Sequence, residues 1–552
     1  MKKHKSIILG AILLTTSIIG TSCSDWLELE PIDNYGSQSY WKTEAQVAGY
    51  VDGLHKHLRD ATWQHTIIFG ELRGGHYVDG TSSDGMTTSY GDIRLQNLDA
   101  DHTGVSKFGD LYGRITNCNL LIARVTDATY LDEAKKNYYL AIAYGLRAFY
   151  YFDLYRVYGG VPLRLDVAVI DGELDPVKLY MKRAKPSEVM AQIKSDIQQS
   201  ISLFGNQTSF DPYGRGKKCY WSKAASECLA GEVYLWNAKV TIGDQTANEA
   251  DLATAKQYFL SVANNYNLKM LDNFSKVFDA TNKGNDEIIF AVRYLEGEAT
   301  NNNGSYTYSN DTGQTAAQSY REDGSRWNDP LGLKNGYNMS MEYQKGMFTQ
   351  FDETDTRLDA TFMGSYRYKD EENKTGFYLN GVHTIKNIGY INATGDRIMC
   401  GDYIFYRLPW VYLSLAEIAN MEGNNADVEK YINLVRKRAY ATNWDEATYG
   451  YTAGSFTDNE LAIFNEKNKE FIQEGQRWWD LCRMTLTKGG KHLVFCKEAS
   501  LDGINPVLNE SVAYKVLWPL DKTILSNDST LVQTPGSVSY THLRAHETGR
   551  NL

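Results

Sequence analysis

The chain has 552 residues, 42% hydrophobic and 23% charged, with a net charge of −11. That apolar content supports a large folded core and excludes disorder as the main state. The acid excess excludes nucleic acid as the main partner, because phosphate binding draws on clustered Lys and Arg. Tyr outnumbers Phe by 39 to 19, and rings with polar tips suit wet surfaces that grip a ligand.

Lys2, Lys3 and Lys5 precede an apolar run from Ile7 to Ile19, which is of signal-peptide length and too short to span a bilayer. Gly20, Thr21 and Ser22 lead into Cys23 in a run that resembles a bacterial lipobox. Residues 1–22 are therefore expected to be a lipoprotein signal peptide, and Cys23 the lipidated residue that anchors the chain to a membrane. Ser24, Asp25, Glu28 and Glu30 follow, resembling the surface-export signal of Bacteroidetes lipoproteins.

Helical patterns cover about 43–60, 105–128, 132–158, 186–204, 220–241, 250–268, 411–440 and 458–484. Gly159-Gly160 stops one of them, and Pro186 opens another. Small residues fall on single faces at Ala141, Gly145 and Ala148, at Ala224, Cys228 and Gly231, and at Ala416, Ala419 and Gly423. Such stripes let helices approach closely, as in tetratricopeptide-like stacks, although a generic helical bundle would use them too. Between about 269 and 410 the helical period fades into Asn, Gly, Tyr, Asp and Thr, with short strands expected at Glu287–Tyr294 and around Tyr403–Leu408. The stretch 61–104 also reads as loop. A structureless stretch this long suggests a functional role. At the end, VSYTHLRAHET from Val538 to Thr548 matches one reading frame of a transposase-type sequencing adapter, so 537–552 is set aside as a probable remnant.

Several ordered motifs resemble the SusD/RagB family of outer-membrane nutrient-binding lipoproteins. They are RAFYYFDLYRVYGGVPL from Arg147, LYGRITNCNLLI from Leu111, NDEIIFA from Asn285, YINLVRKRAY from Tyr431, KEFIQEGQRWWDLCRM from Lys469, LWPL at Leu517 and QTPG at Gln533. The resemblance implies a mostly α fold: a tetratricopeptide-like helical-repeat scaffold with an irregular, loop-rich ligand-binding subdomain and a few short strands. It implies one domain over 23–536, with scaffold at about 43–268 and 411–536 and the irregular insert at about 269–410. It implies a SusC-like TonB-dependent transporter as partner and capture of a glycan, or less often a peptide, at the cell surface, without catalysis.

Sugar rings have apolar faces and polar rims, so flat aromatic side chains beside Asn, Asp and Arg are the chemistry to look for. One such cluster is Arg73, His76, Tyr77, Asp79, Asp84 and Tyr90; another is Tyr306, Tyr308, Tyr320, Arg326, Trp327 and Asn328. Each ring could instead pack its own loop. Arg147, Arg436, Arg438, Arg477, Trp478, Trp479 and Asp480 also look like a site, but they sit on scaffold helices and are expected to form ion pairs and core. No nucleotide, zinc or hydrolase motif occurs, so neither metal, cofactor nor enzyme activity is expected. Asp352, Glu353, Asp355 and Asp359 lack the Gly and terminal Glu of a calcium loop. The enzyme rival is a lipid-anchored glycoside hydrolase, which would need a cleft and a carboxyl of raised pKa. A structural lipoprotein without a small ligand is the third class.

Overall fold

The computed structural model describes residues 40–80, 88–101, 108–167, 179–302, 319–327, 329–334 and 341–537. Cys23, Asp84, Tyr306, Tyr308, Asn328 and the 538–552 tail lie outside those residues. The helices are α1 (Glu44–Trp63), α2 (Thr88–Arg94), α3 (Phe108–Thr126), α4 (Glu133–Tyr158), α5 (Pro186–Phe204), α6 (Lys223–Lys239), α7 (Asp251–Asn265), α8 (Lys345–Thr349), α9 (Arg357–Thr361), α10 (Leu408–Glu422), α11 (Asn425–Tyr440), α12 (Glu446–Tyr449), α13 (Phe456–Glu470), α14 (Arg477–Arg483) and α15 (Lys522–Asn527). The strands are β1 (Tyr77–Asp79), β2 (Ile288–Val292), β3 (Met341–Tyr343), β4 (Phe362–Asp370), β5 (Thr375–Thr384), β6 (Tyr390–Ile391), β7 (Arg397–Ile398) and β8 (Tyr403–Arg407).

Side-chain caps set several helix starts. Thr43, Asp132, Ser222 and Ser455 each accept the amide three residues on, which satisfies a donor the helix leaves unpaired. Helices then stack in order: α3 on α4, α4 on α5, α5 on α6, α6 on α7, α7 on α10, and α10 on both α11 and α13. The result is a mostly α, tetratricopeptide-like scaffold. At its centre α4 is buried on nearly every side from Tyr138 to Tyr158, as a helix without a polar face must be.

Two of the small-residue stripes receive aromatic rings rather than a neighbouring backbone. A Cβ at Gly145 would lie 2.0 Å from the indole nitrogen of Trp221, and one at Gly231 would lie 2.4 Å from the ring of Phe259. Gly423 serves differently: at φ 72° it caps α10 and splits the single helix expected over 411–440. The helix expected over 458–484 also breaks, where Gln473 and Gly475 take positive φ. The stretch 61–104, expected as loop, is largely interior from Ala61 to Tyr77 and includes a π-helical segment, Gln64–Phe69.

The two strands expected in the insert pair with each other: β2 and β8 form an antiparallel ladder joining Ile288 to Arg407 and Val292 to Tyr403. The insert also contains a long antiparallel hairpin, β4–β5, running from Phe362↔Thr384 to Asp370↔Thr375. Sequence reasoning did not anticipate it. Its base is interior, with Val382, His383 and Thr384 buried, while Thr375–Tyr378 at its far end are exposed.

The scaffold arginines are interior partners. Arg147 makes a forked pair with Asp196, both bonds 2.7 Å. Arg438 meets Glu287 and Glu470, Arg436 meets Glu466, and Asp480 meets Lys467 and Arg483. Arg477 donates to Gly74 and Ala499 carbonyls and to Asn468, while Trp478 and Trp479 are core. Arg407 uses its whole fork, on Glu287, Glu470 and Glu474. Burial alone would lower its pKa, but Glu474 and Glu470 override that and raise it. The Glu470 carboxyl is pushed up by burial yet held well below the usual range by Arg438, Arg407 and Arg357.

Candidate functional site

The predicted cluster around residue 73 divides between interior and surface. The Arg73 guanidinium is fully buried, 4.0 Å over the Trp478 ring, and donates to Gln96 at 2.7 Å and to the carbonyls of Val516 and Lys515. Burial lowers its pKa to about 9. The Tyr77 hydroxyl donates to Glu71 at 2.8 Å beside Tyr343, and His76 is equally buried. Arg73 and Tyr77 are thus structural members of the core, a correction to their reading as exposed loop contacts. Both fall in the stretch 61–104, which reads as loop from the sequence. Asp79 does face solvent, held by Arg94 at 3.0 Å, and Tyr90 is half-buried beside Trp63.

The second cluster divides in the same way. Trp327 is 6% exposed, with its ring 4.6 Å from His383, so its indole is also interior and not a solvent-facing platform. Arg326 is exposed and lies over the Tyr320 ring at 4.5 Å. Tyr320 bridges the outer edge of the hairpin through paired backbone hydrogen bonds to Tyr366, both 2.9 Å.

That bridge places Tyr320 among aromatic residues sequence reasoning had not singled out. Cross-strand register puts Tyr366 opposite Leu379 and Tyr368 opposite Phe377, so all four share one face of the hairpin. Phe377 stacks on Tyr366 at 5.2 Å and 14°, while Tyr320 meets Tyr368 edge-on at 5.0 Å. Phe377 is 37% exposed, and Tyr378, on the other face, 36%. Lys374 donates to the Tyr320 hydroxyl at 2.9 Å and to Glu371 at 2.8 Å, adding polar groups to the rim. The available signal was a period-two spacing, Tyr366 and Tyr368, followed by the polar Glu371–Lys374 turn, with positive φ at Lys374 and at Gly376 just inside β5.

The same layer links the two predicted regions. β1 pairs with β3, β3 packs on β5, β5 pairs with β4, and β4 is bridged by Tyr320 through Tyr366. At the junction Glu342 accepts the Val382 amide at 2.9 Å, and burial raises its pKa to about 7. This is a raised carboxyl of the kind a hydrolase would need, and burial also raises Asp196, Glu227 and Asp402, but Glu342 is 3% exposed, between strands, rather than lining a cleft. The acids near 352 are engaged in the fold: Asp352 accepts from Tyr440 and Thr354, and Asp355 pairs with Arg357. Among the described residues no group of three or more His, Cys, Asp or Glu is placed to hold a metal ion.

A solved SusD superfamily protein from Bacteroides fragilis NCTC 9343 is 64% identical, covers 90% of this chain and all of its own, and superposes with a TM-score of 0.85. The chain belongs to the SusD/RagB family. Residues 272–536 match the family model described as the SusD family, and 25–235 match one described as starch-binding associating with outer membrane. The solved B. fragilis NanU is 31% identical, over 93% of this chain and 100% of its own, with a TM-score of 0.75. The SusD-like protein P38 of Formosa agariphila is 23% identical over 94% of this chain and 97% of its own length. In this SusD family member the motif-bearing helices α4, α11 and α14 are scaffold, and the aromatic hairpin projects from the insert between them.

Proposed function

We propose that this protein is a lipid-anchored outer-membrane protein, facing the cell exterior through Cys23, that captures oligo- or polysaccharide without cleaving it and delivers it to a SusC-like TonB-dependent transporter. The observation that carries this reading is the exposed end of the β4–β5 hairpin. Phe377, Tyr366 and Tyr368 offer apolar ring surface, while Arg326, Lys374 and Glu371 supply charged hydrogen-bonding groups around it. Rings pair with the C–H faces of sugars, and charged groups bond the hydroxyls. Tyr320 underlies this surface rather than forming it, since it is only 5% exposed beneath Arg326 and Lys374. Family membership supports the capture role, and the family model's starch-binding description supports a glycan cargo.

The test is affinity electrophoresis of the protein in gels containing a panel of polysaccharides, with reducing-sugar release assayed on the same samples. Retardation without product, lost in Phe377→Ala, is the expected result. Product release would overturn the non-catalytic role. Retardation unchanged by hairpin variants would move the binding face elsewhere.

A further inference from the structure

Away from the hairpin, α1 and β2 wall a second concavity of about 490 Å³, inside the ~300–1,000 Å³ range of small-ligand sites. Three guanidiniums converge on it from separate parts of the chain: Arg59 on α1, Arg215 before the Tyr220 turn, and Arg293 just past β2. Their side chains are 18%, 33% and 47% exposed, so a solute can reach them.

The acids facing them are one short. Arg59 and Arg293 share the single carboxylate of Glu298, at 2.7 and 2.6 Å. Arg215 pairs with Asp52. Lys56, also in the wall, is matched by Asp60 at 2.7 Å. His55 adds no charge, because its ring is committed: Nδ1 donates to the Val51 carbonyl at 2.8 Å, Nε2 accepts the Trp221 amide at 2.9 Å, and burial lowers its pKa to about 4. The His55 ring stacks on Tyr220 at 4.3 Å, which with Phe290 gives the cavity an apolar wall. A locally positive pocket in a chain of net charge −11 selects for anions.

We infer that this pocket binds the anionic group, carboxylate or sulfate, of an acidic saccharide. Arg293 and Arg215 present planar forks that match either group two bonds at a time, and until the ligand arrives Glu298 holds Arg293 while Asp52 holds Arg215. The inference rests on the capture reading and adds the charge class of the cargo.

Binding of galacturonate and glucuronate oligosaccharides, sulfated galactose oligosaccharides, sodium sulfate and neutral maltooligosaccharides to the whole protein, read by calorimetry, tests it. At least one acidic saccharide is expected to bind, at least tenfold more weakly in Arg293→Gln or Arg215→Gln at unchanged melting temperature. Glu298→Gln, which frees two forks, should tighten it. Equal binding of sodium sulfate would make the pocket a site for free inorganic anions and overturn the saccharide assignment. Acidic-saccharide binding lost in Phe377→Ala but intact in Arg293→Gln would overturn the pocket while keeping the hairpin. Binding of neutral saccharides alone would also overturn the pocket, and binding of none would overturn both readings.

Discussion

The buried ionic lattice around Arg407 and the exposed hairpin around Phe377 are built from the same residue types, yet they do opposite work. In the lattice the forks and carboxylates are engaged by neighbours, as Arg407 is by Glu287, Glu470 and Glu474. At the hairpin the rings and charges stand at the end of a projecting ladder with solvent on both faces. Charged and aromatic composition alone therefore does not locate a binding site in this fold. Whether the hydrogen-bonding capacity is already used does.

The largest effect that would test this contrast belongs to the lattice. Arg407→Ala removes the one cation that Glu287, Glu470 and Glu474 share, leaving them to Arg438, Arg357 and Lys386, and breaking a buried pair costs about 3–5 kcal/mol. Urea unfolding should show that loss, and a loss below about 1 kcal/mol would mean the lattice behaves like a surface network.

Next comes Trp327→Ala, which empties an interior site against His383. Its expected cost is about 3 kcal/mol, and glycan retention by the folded fraction should persist. A stable variant that no longer binds would return Trp327 to the ligand face.

The third effect is a pH dependence with opposite signs in the two regions. Glu342, raised by burial to about 7, costs the fold nothing while both states hold its proton. It destabilises as pH climbs from the unfolded value near 4.5 through 7, by roughly 3 kcal/mol. Glu470, held low by arginines, contributes stability that is present above that unfolded value and is lost as pH falls below it. Glu342→Gln should therefore gain on wild type between pH 4 and pH 8 in thermal melts. A difference that stays flat across that range would refute the assignment.

The smallest stability effect is expected at Phe377→Ala, within about 0.5 kcal/mol, paired with about tenfold weaker glycan retention. That combination is what separates a binding surface from a packing one.

Helix ends were legible where punctuation is local: Pro186 opens α5, and Gly159, at φ 75°, closes α4. The pairing of β2 with β8 was half legible, as two apolar runs without a stated partner. The hairpin was not legible, because its outer half has no buried face, and the alternation at Tyr366 and Tyr368 is too short a run on its own to mark a strand. Arg326 is exposed as expected of a loop residue, whereas Arg73 and Trp327 were misplaced because burial depends on elements distant in the chain, such as His383 for Trp327. Val516, which Arg73 reaches, is another example.

The β2–β8 ladder brings the two ends of the insert together at one clasp, Val292 beside Tyr403. Closing a chain segment costs free energy that grows only with the logarithm of its length, so doubling the segment adds about 0.6 kcal/mol. The exposed end of the aromatic hairpin, strung between those strands, can lengthen, shorten or be exchanged at little cost to the helices that hold the clasp, whereas Arg357 and Lys386, tied to Glu466, Glu470 and Glu474, cannot. The hairpin's tip is thereby free to change while the scaffold keeps its fold.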